Sequence, residues 1–387
     1  MKINSMLHHR RVKLIAICEL CLIITCICST INNDAKIVTP STFSSNMYNI
    51  NATHKSEPII DTNTTEIICN ILARIEEFIR EKEKMDEKCI CRDIVELVDR
   101  PFVTLSYAQT LNGIIAKRLT SSQTSSNLVI SSPQAFKLTH ALRSIHDAIL
   151  VGKNTMSFDN PRLNVRLWRN QSNFSKSKQP RPVVLDSNLT WLLREWKKKD
   201  MNVRVDDENE NSNSYFSHIR ANNLIVCCSK DAFIYFKSEV DQNMIVKYEN
   251  DERNPCYDEN DKLTFKENDK QITLLSCNTQ NDKEDTNNVD CNQLCLKHVL
   301  HQIYNKCRVR SIMVEGGSSI LSSFASIPNY VDCVCVTIAP HIISSEFGLN
   351  AFKNIRQSVC PSGRSINVRS PEYWRLGTDC ILLCQWS

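Results

Sequence analysis

DAILVGKNTMSFDNPRLNVR, residues Asp147 to Arg166, opens with a short apolar run, halts at Gly152 and then turns polar. An apolar run of that length, closed by a turn-forming residue, reads as a buried strand that hands the chain to a loop and a helix. The same signature recurs outward in both directions. Strands are expected at Phe102 to Tyr107 (FVTLSY), Val183 to Asp186 (VVLD), Leu224 to Cys228 (LIVCC) and Ile272 to Ser276. Further ones are Ser311 to Val314 (SIMV), Val331 to Ala339 (VDCVCVTIA) and Cys380 to Gln385 (CILLCQ). Between them, Ser132-Pro133 reads as an N-cap and first turn of a helix reaching about Ser144. A second helix is expected from about Gln293 to Asn305. Strands alternating with helices predict an α/β fold with a mostly parallel, twisted sheet and helices on both faces.

The bulk numbers agree with a globular protein and exclude several classes. With 387 residues and 42% hydrophobic composition the chain can bury a sizeable core. Lys+Arg 47 against Asp+Glu 43 leaves +4, too even for a nucleic-acid partner, so any working cations must be local. The 19 cysteines are odd in number and irregularly spaced, which argues for buried free thiols rather than a disulfide framework. Cys291 and Cys295 stand four apart without a second pair and read as core residues, so no metal is expected. All 7 glycines fall at Gly113 or later, which puts the working part after about residue 100.

In parallel sheets, ligands bind beyond the carboxyl ends of the strands. Three strand ends carry unusual residues. One is Gly152-Lys153-Asn154-Thr155 with Asp159 to Arg166 behind it, another is Asp186-Ser187, and the third is Glu315-Gly316-Gly317-Ser318-Ser319. A Gly-Gly-Ser-Ser opening leaves backbone N–H groups and hydroxyls free at a helix start, which suits a phosphate; it is equally the makings of a tight strand-to-helix turn. Glu315 beside it must be aimed at hydroxyls or amines, since phosphate would repel it. Arg143 and Arg166 present guanidinium forks matched to phosphate oxygens, with a surface salt bridge as the alternative. No GxGxxG, Walker, HExxH, GxSxG or zinc-deaminase pattern occurs.

Seven blocks in order carry a family resemblance: RPFVTLSYAQTLNG (Arg100 to Gly113), ISSPQAFKLTHALRSIHDAILVG (Ile130 to Gly152), NTMSFDNPRLNVR (Asn154 to Arg166), RPVVLDS (Arg181 to Ser187), SIMVEGGSSIL (Ser311 to Leu321), VDCVCVTIAP (Val331 to Pro340) and WRLGTDCILL (Trp374 to Leu383). Together they resemble the riboflavin-pathway reductases, whose fold is similar to dihydrofolate reductase. The resemblance implies NADPH as hydride donor and an open-chain ribosyl aldehyde as acceptor. It implies NADPH against Thr155, Asp159, Ser187, Gly316, Gly317, Ser318 and Ser319, and substrate against Arg143, Leu163, Arg166 and Glu315. Asp159 is the candidate proton donor, with water the other. Asn154 and Asn112 depart from the family's usual residues, and asparagine tolerates the same turn geometry. A homodimer is also implied, with the Val331 to Ala339 strand as interface.

The first 99 residues hold no deaminase pattern, so the chain resembles the stand-alone fungal and archaeal type. That type acts on 2,5-diamino-6-ribosylamino-4(3H)-pyrimidinone 5′-phosphate; the alternatives are the deaminated uracil, a pterin as in dihydrofolate reductases, or a non-catalytic membrane-tethered relative. Residues 1–99 are expected to form an extension: an apolar segment at 12–28 interrupted by Glu19, a polar linker, and a helix from Glu66 to Lys88. The apolar segment reads as a signal, an anchor or neither. Residues 100–387 form the expected reductase domain, with polar tracts around 199–290 predicted as long loops. The free thiols favour the cytoplasm.

Overall fold

The computed structural model describes residues 62–90, 99–117, 129–169, 178–195, 219–240, 257–259, 261–267, 270–280, 293–344, 346, 348–352 and 366–386. The apolar segment at 12–28, Cys291 and the tract at 199–218 lie outside the described residues. Residues 60–387 form one compact unit.

Thirteen strands are described, and eleven of them build one sheet. Its parallel heart comprises β1 (Phe102–Thr110), β3 (Ala148–Gly152), β4 (Arg181–Leu185), β5 (Leu224–Ser229), β8 (Lys270–Cys277), β9 (Ser311–Glu315) and β10 (Cys333–Ala339). They run in the order β10-β1-β9-β3-β4-β5-β8. Antiparallel strands extend both flanks: β12 (Val368–Leu376) and β13 (Asp379–Trp386) beyond β10, and β6 (Tyr257–Glu259) and β7 (Lys262–Glu267) beyond β8. A separate pair joins β2 (Ile114–Lys117) to β11 (Gly348–Asn350).

Strand alternation explains why helices cover both faces. Val103, Leu150, Ile225, Ile312, Val314 and Val334 point to one face, under α5 (Leu296–Cys307) and α6 (Ser318–Ala325). Ile149, Val151, Val184, Val226 and Leu274 point to the other, against Trp191, Leu192 and Phe236. Phe236 belongs to α4 (Lys230–Val240), a helix inside the stretch expected as loops; Phe233 and Phe236 bury its inner side while Ile234 and Tyr235 stay exposed. That correction, with β6 and β7, follows from tertiary burial that the surrounding polar composition hides. Cys333, Cys335 and Met313 meet α2 (Pro133–Ile145) and, beyond it, Ile68, Ile71, Ile75 and Phe78 of α1 (Thr62–Ile90). Each such fully buried aliphatic or aromatic side chain stabilises by about 1.5–3 kcal/mol.

Polar groups at the strand ends are matched one by one. Arg100 grips Asp332 with both arms of its fork, at 2.6 and 2.8 Å, and Asp332 also accepts the Val103 N–H at 2.8 Å. This ties the start of β1 to the start of β10. It also removes β10 as an interface: the strand lies between β1 and β13, with Cys333 to Val336 buried on both faces. The described cysteines are free thiols, and burial pushes the Cys335 thiol up to about 12.

His146 closes the turn between α2 and β3. Its Nδ1 lies 2.7 Å from the Leu142 carbonyl and its Nε2 2.8 Å from Thr104 Oγ1. The carbonyl can only accept, so Nδ1 carries the proton and Nε2 accepts the Thr104 hydroxyl. Complete burial lowers the His146 pKa to about 4. The unfolded chain therefore binds this proton first, and stability from the neutral ring is present above about pH 6.5 and is lost as pH falls toward 4. The upper bound of that loss is about 3 kcal/mol. Denaturant titrations at pH 7 and pH 4.5 should show His146→Gln losing less stability on acidification than the parent chain; identical losses would refute the assignment.

Candidate active site

The carboxyl ends of β3, β4 and β9 converge on a cleft of about 480 Å³. β3 delivers Gly152 and then α3 (Lys153–Asp159), whose Thr155, Phe158 and Asp159 face the cleft. β4 delivers Ser187, and β9 delivers Gly317, Ser318 and Ser319. Six of the seven residues assigned to the cofactor thus share one cavity. The seventh, Gly316, is not on the lining; a Cβ there would stand 2.9 Å from Ile320 Cβ, so the glycine lets α6 pack against its own entry turn.

The start of α6 is chemically unusual. Gly317 is its N-cap and offers no side-chain hydrogen bond, which leaves the first N–H groups of the helix uncapped. Ser318 is 5% exposed, yet its Oγ has no hydrogen-bond partner among the described residues. A buried hydroxyl without a partner costs about 1–3 kcal/mol unless a ligand satisfies it. Nothing stands within 4 Å of where a Gly317 Cβ would project, so a ligand can approach the backbone itself. These three features fit an anionic group, and the phosphates of a dinucleotide are of that kind.

Asp186, flagged together with Ser187 from sequence, does other work. It is fully buried, and its carboxylate accepts the N–H groups of Thr190 (3.1 Å), Trp191 (2.9 Å) and Leu192 (3.2 Å). It caps the helical residues 190–195 and so holds the Ser187 turn in place. Lys153, flagged from sequence in the first strand end but given no role there, lies on the cleft lining and donates to Thr190 Oγ1 at 2.8 Å. Ala116 of β2 and Leu349 of β11 close the opposite wall; the two short strands gave no signal beyond the Asn112-Gly113 turn.

The four residues assigned to the substrate form a second group. Arg143 Nε and Nη2 meet the two oxygens of Glu315 at 2.6 and 2.7 Å, and Nη1 donates to the Asn164 carbonyl at 3.1 Å. Burial by itself would lower the proton affinity of Arg143, but the facing Glu315 charge and its hydrogen bonds raise it overall. Leu163 is buried with φ +47, a left-handed backbone that turns the loop sharply between Arg162 and Asn164. Arg166 is exposed and spends Nη1 on Asn164 Oδ1 at 3.2 Å. Its backbone N–H reaches His140 Nδ1 at 3.3 Å. Burial, then the Arg143 and Arg166 charges, lower the His140 pKa to about 4, so the ring adds no further cation. Among the described residues no group of three or more metal-ligating side chains occurs.

Two substitutions check this geometry. Glu315→Gln leaves Arg143 buried without its counter-charge, and thermal or denaturant unfolding should report a loss of about 3 kcal/mol; no loss would mean the pair is not formed. Gly316→Ala should weaken binding of adenine dinucleotides by displacing Ile320 and the start of α6; binding equal to the parent would show that the turn yields freely.

The match to known proteins is extensive. The RibD C-terminal domain model matches residues 101–246 and 237–382. A protein of Debaryomyces hansenii named 2,5-diamino-6-ribosylamino-4(3H)-pyrimidinone 5′-phosphate reductase is 27% identical over 288 residues, covering 74% of this chain and 89% of the relative. A Candida glabrata protein of the same name is 24% identical over 289 residues, covering 74% and 88%. Among solved structures, the Saccharomyces cerevisiae riboflavin biosynthesis reductase aligns with TM-score 0.45 at 19% identity, over 75% of this chain and 91% of its own. The chain belongs to the RibD C-terminal domain family.

Proposed function

We propose that this chain reduces the ribosyl group of 2,5-diamino-6-ribosylamino-4(3H)-pyrimidinone 5′-phosphate to a ribityl group, using NADPH, in riboflavin biosynthesis. The observation that carries the reading is the uncapped α6 start with its orphaned Ser318 hydroxyl, opening on the cleft beside Thr155, Asp159 and Ser187. The names of the yeast relatives supply the substrate class. When bound, NADPH supplies a hydride. The chain's own part is to bind and orient. Gly317, Ser318 and Ser319 hold phosphate oxygens of the cofactor, with Thr155 and Ser187 as further hydroxyl donors on the same lining. Glu315, oriented by Arg143, accepts hydroxyl or amine protons of the substrate, and Leu163 shapes the loop on which Arg166 meets its phosphate. Asp159 stands on the cleft lining as the candidate proton donor.

The proposed catalytic module spans 100–387, and α1 braces it by packing on α2. The homodimer implied by family resemblance belongs to the same proposal, with an interface elsewhere than β10. A cytoplasmic setting suits the free buried thiols. Among the described residues no helix is long and apolar enough to cross a membrane.

The test uses the purified full chain and follows loss of NADPH absorbance. Turnover is expected with the diaminopyrimidinone ribosylamine phosphate and should be slower with its deaminated uracil counterpart. Preference for the uracil would transfer the assignment to the later step, and turnover with neither would overturn it.

A further inference from the structure

Among the described residues that line the cleft, Lys153 is the single lysine or arginine. It stands at the start of α3, and its Nζ donates to Thr190 Oγ1 at 2.8 Å. In the sheet, β3 lies between β9 and β4, so α6 enters the cleft from one side of β3 and Thr190 follows β4 on the other. Strands two apart in a sheet lie about 10 Å from one another. The cleft therefore carries two separate positive poles: the uncapped start of α6 on the β9 side and the Lys153 ammonium on the β4 side.

Lys153 is anchored without being consumed. An ammonium has three donors, and Thr190 takes one. The Asp186 carboxylate stands 3.8 Å away, but it is fully buried and already receives the N–H groups of Thr190, Trp191 and Leu192. It also accepts the Thr190 hydroxyl, at 3.3 Å. The Lys153 side chain stays 38% exposed. Dinucleotide sites tell their two cofactors apart by local charge. A carboxylate beside the adenosine ribose accepts the 2′-hydroxyl of NADH, whereas a cation there matches the 2′-phosphate of NADPH. Here the carboxylate at the end of β4 is withdrawn into the fold, and the cation lines the cleft. Asp159, the acid on the lining, closes the far end of α3, six residues and about 9 Å along the helix axis.

We propose that Lys153 binds the 2′-phosphate of the adenosine ribose and sets a preference of this chain for NADPH over NADH. The inference deepens the cofactor reading above and rests on it. With the pyrophosphate at the start of α6, the adenosine ribose is the next group along the dinucleotide, and its 2′-phosphate is a second, separate anion for the second positive pole. Lys153 is not among the residues that the family resemblance assigns to the cofactor, so the preference is carried by a side chain of this chain's own. Thr190 is the positioning residue: its hydroxyl, held by Asp186, fixes the ammonium at the end of β4 beside Ser187.

The experiment titrates the full chain by calorimetry with adenosine 2′,5′-bisphosphate and with adenosine 5′-monophosphate, which differ only in the 2′-phosphate. NADPH and NADH form parallel arms. The parent should bind the bisphosphate about tenfold or more tightly than the monophosphate, as expected for one charge-assisted contact. Lys153→Gln should remove most of that ratio by weakening the bisphosphate and NADPH while leaving the monophosphate and NADH as they were. Lys153→Arg should retain the ratio. Thr190→Val, which keeps the ammonium but frees it from its anchor, should lower the ratio in part, and reads the same question should the glutamine variant fail to fold. Equal affinities in the parent, or a parent-like ratio in Lys153→Gln, overturn the proposal. Equal weakening of all four ligands by Lys153→Gln also overturns it, since the ammonium would then serve a group that both cofactors share. A parent that binds none of the four overturns the cofactor reading itself. Loss of the ratio on Lys153→Gln in a chain that turns over neither pyrimidine keeps the 2′-phosphate site and removes only the proposed reaction.

Discussion

A parallel strand buried on both faces has polar backbone to satisfy only at its ends, and that constraint organises this molecule. Hydrogen bonds along β1, β3, β4, β5, β8, β9 and β10 satisfy the sheet interior. At the ends, carboxylates take over. Asp332 receives the Val103 N–H near the start of β1, Asp147 receives those of Arg310 and Ser311 at the start of β9, and Asp186 receives three from the helix after β4. Of the described helices, α3, α5 and α6 begin without a side-chain cap, and α6 in addition carries the buried Ser318 hydroxyl without a partner.

The two halves of the site use charge differently. Around the cleft, binding groups are mostly neutral donors: backbone N–H groups, the Ser318 hydroxyl, Thr155 and Ser187. The residues assigned to the substrate include two guanidiniums, Arg143 locked to Glu315 and the exposed Arg166. His140, which accepts the Arg166 N–H, is a neutral ring beside them, its pKa lowered by burial and by the Arg143 and Arg166 charges. Under the proposed function, the neutral half would take the dinucleotide and the cationic half the phosphate ester.

Much of the fold was legible in the sequence because burial on both faces leaves dense apolar runs such as AILVG and SIMVE, each punctuated by Gly or Glu at the working end. Ser132-Pro133 announced α2, and the Ser132 hydroxyl does accept the Ala135 N–H, at 3.3 Å. The runs failed as guides where only one side is buried. The α4 sequence KDAFIYFKSEV mixes buried Phe233 and Phe236 with exposed Ile234 and Tyr235, and its polar surroundings concealed it. The exposed edge strand β12 carries no apolar alternation to read.

Sequence alone determined the α/β class, the strand ends that line the cleft, and the residue types at them, because those depend on local periodicity and on glycine and proline punctuation. It could not determine which of the marked side chains are free. Asp186 and Arg143 carry the same chemical promise as Ser187 and Arg166 when read in one dimension. Only the folded chain brings Asp186 onto the N–H groups of residues 190–192 and Arg143 onto Glu315, 172 residues away, while leaving Ser318 buried without a partner. Partnership at long sequence separation is set by packing, and a group's availability to a ligand is what remains after packing has been satisfied.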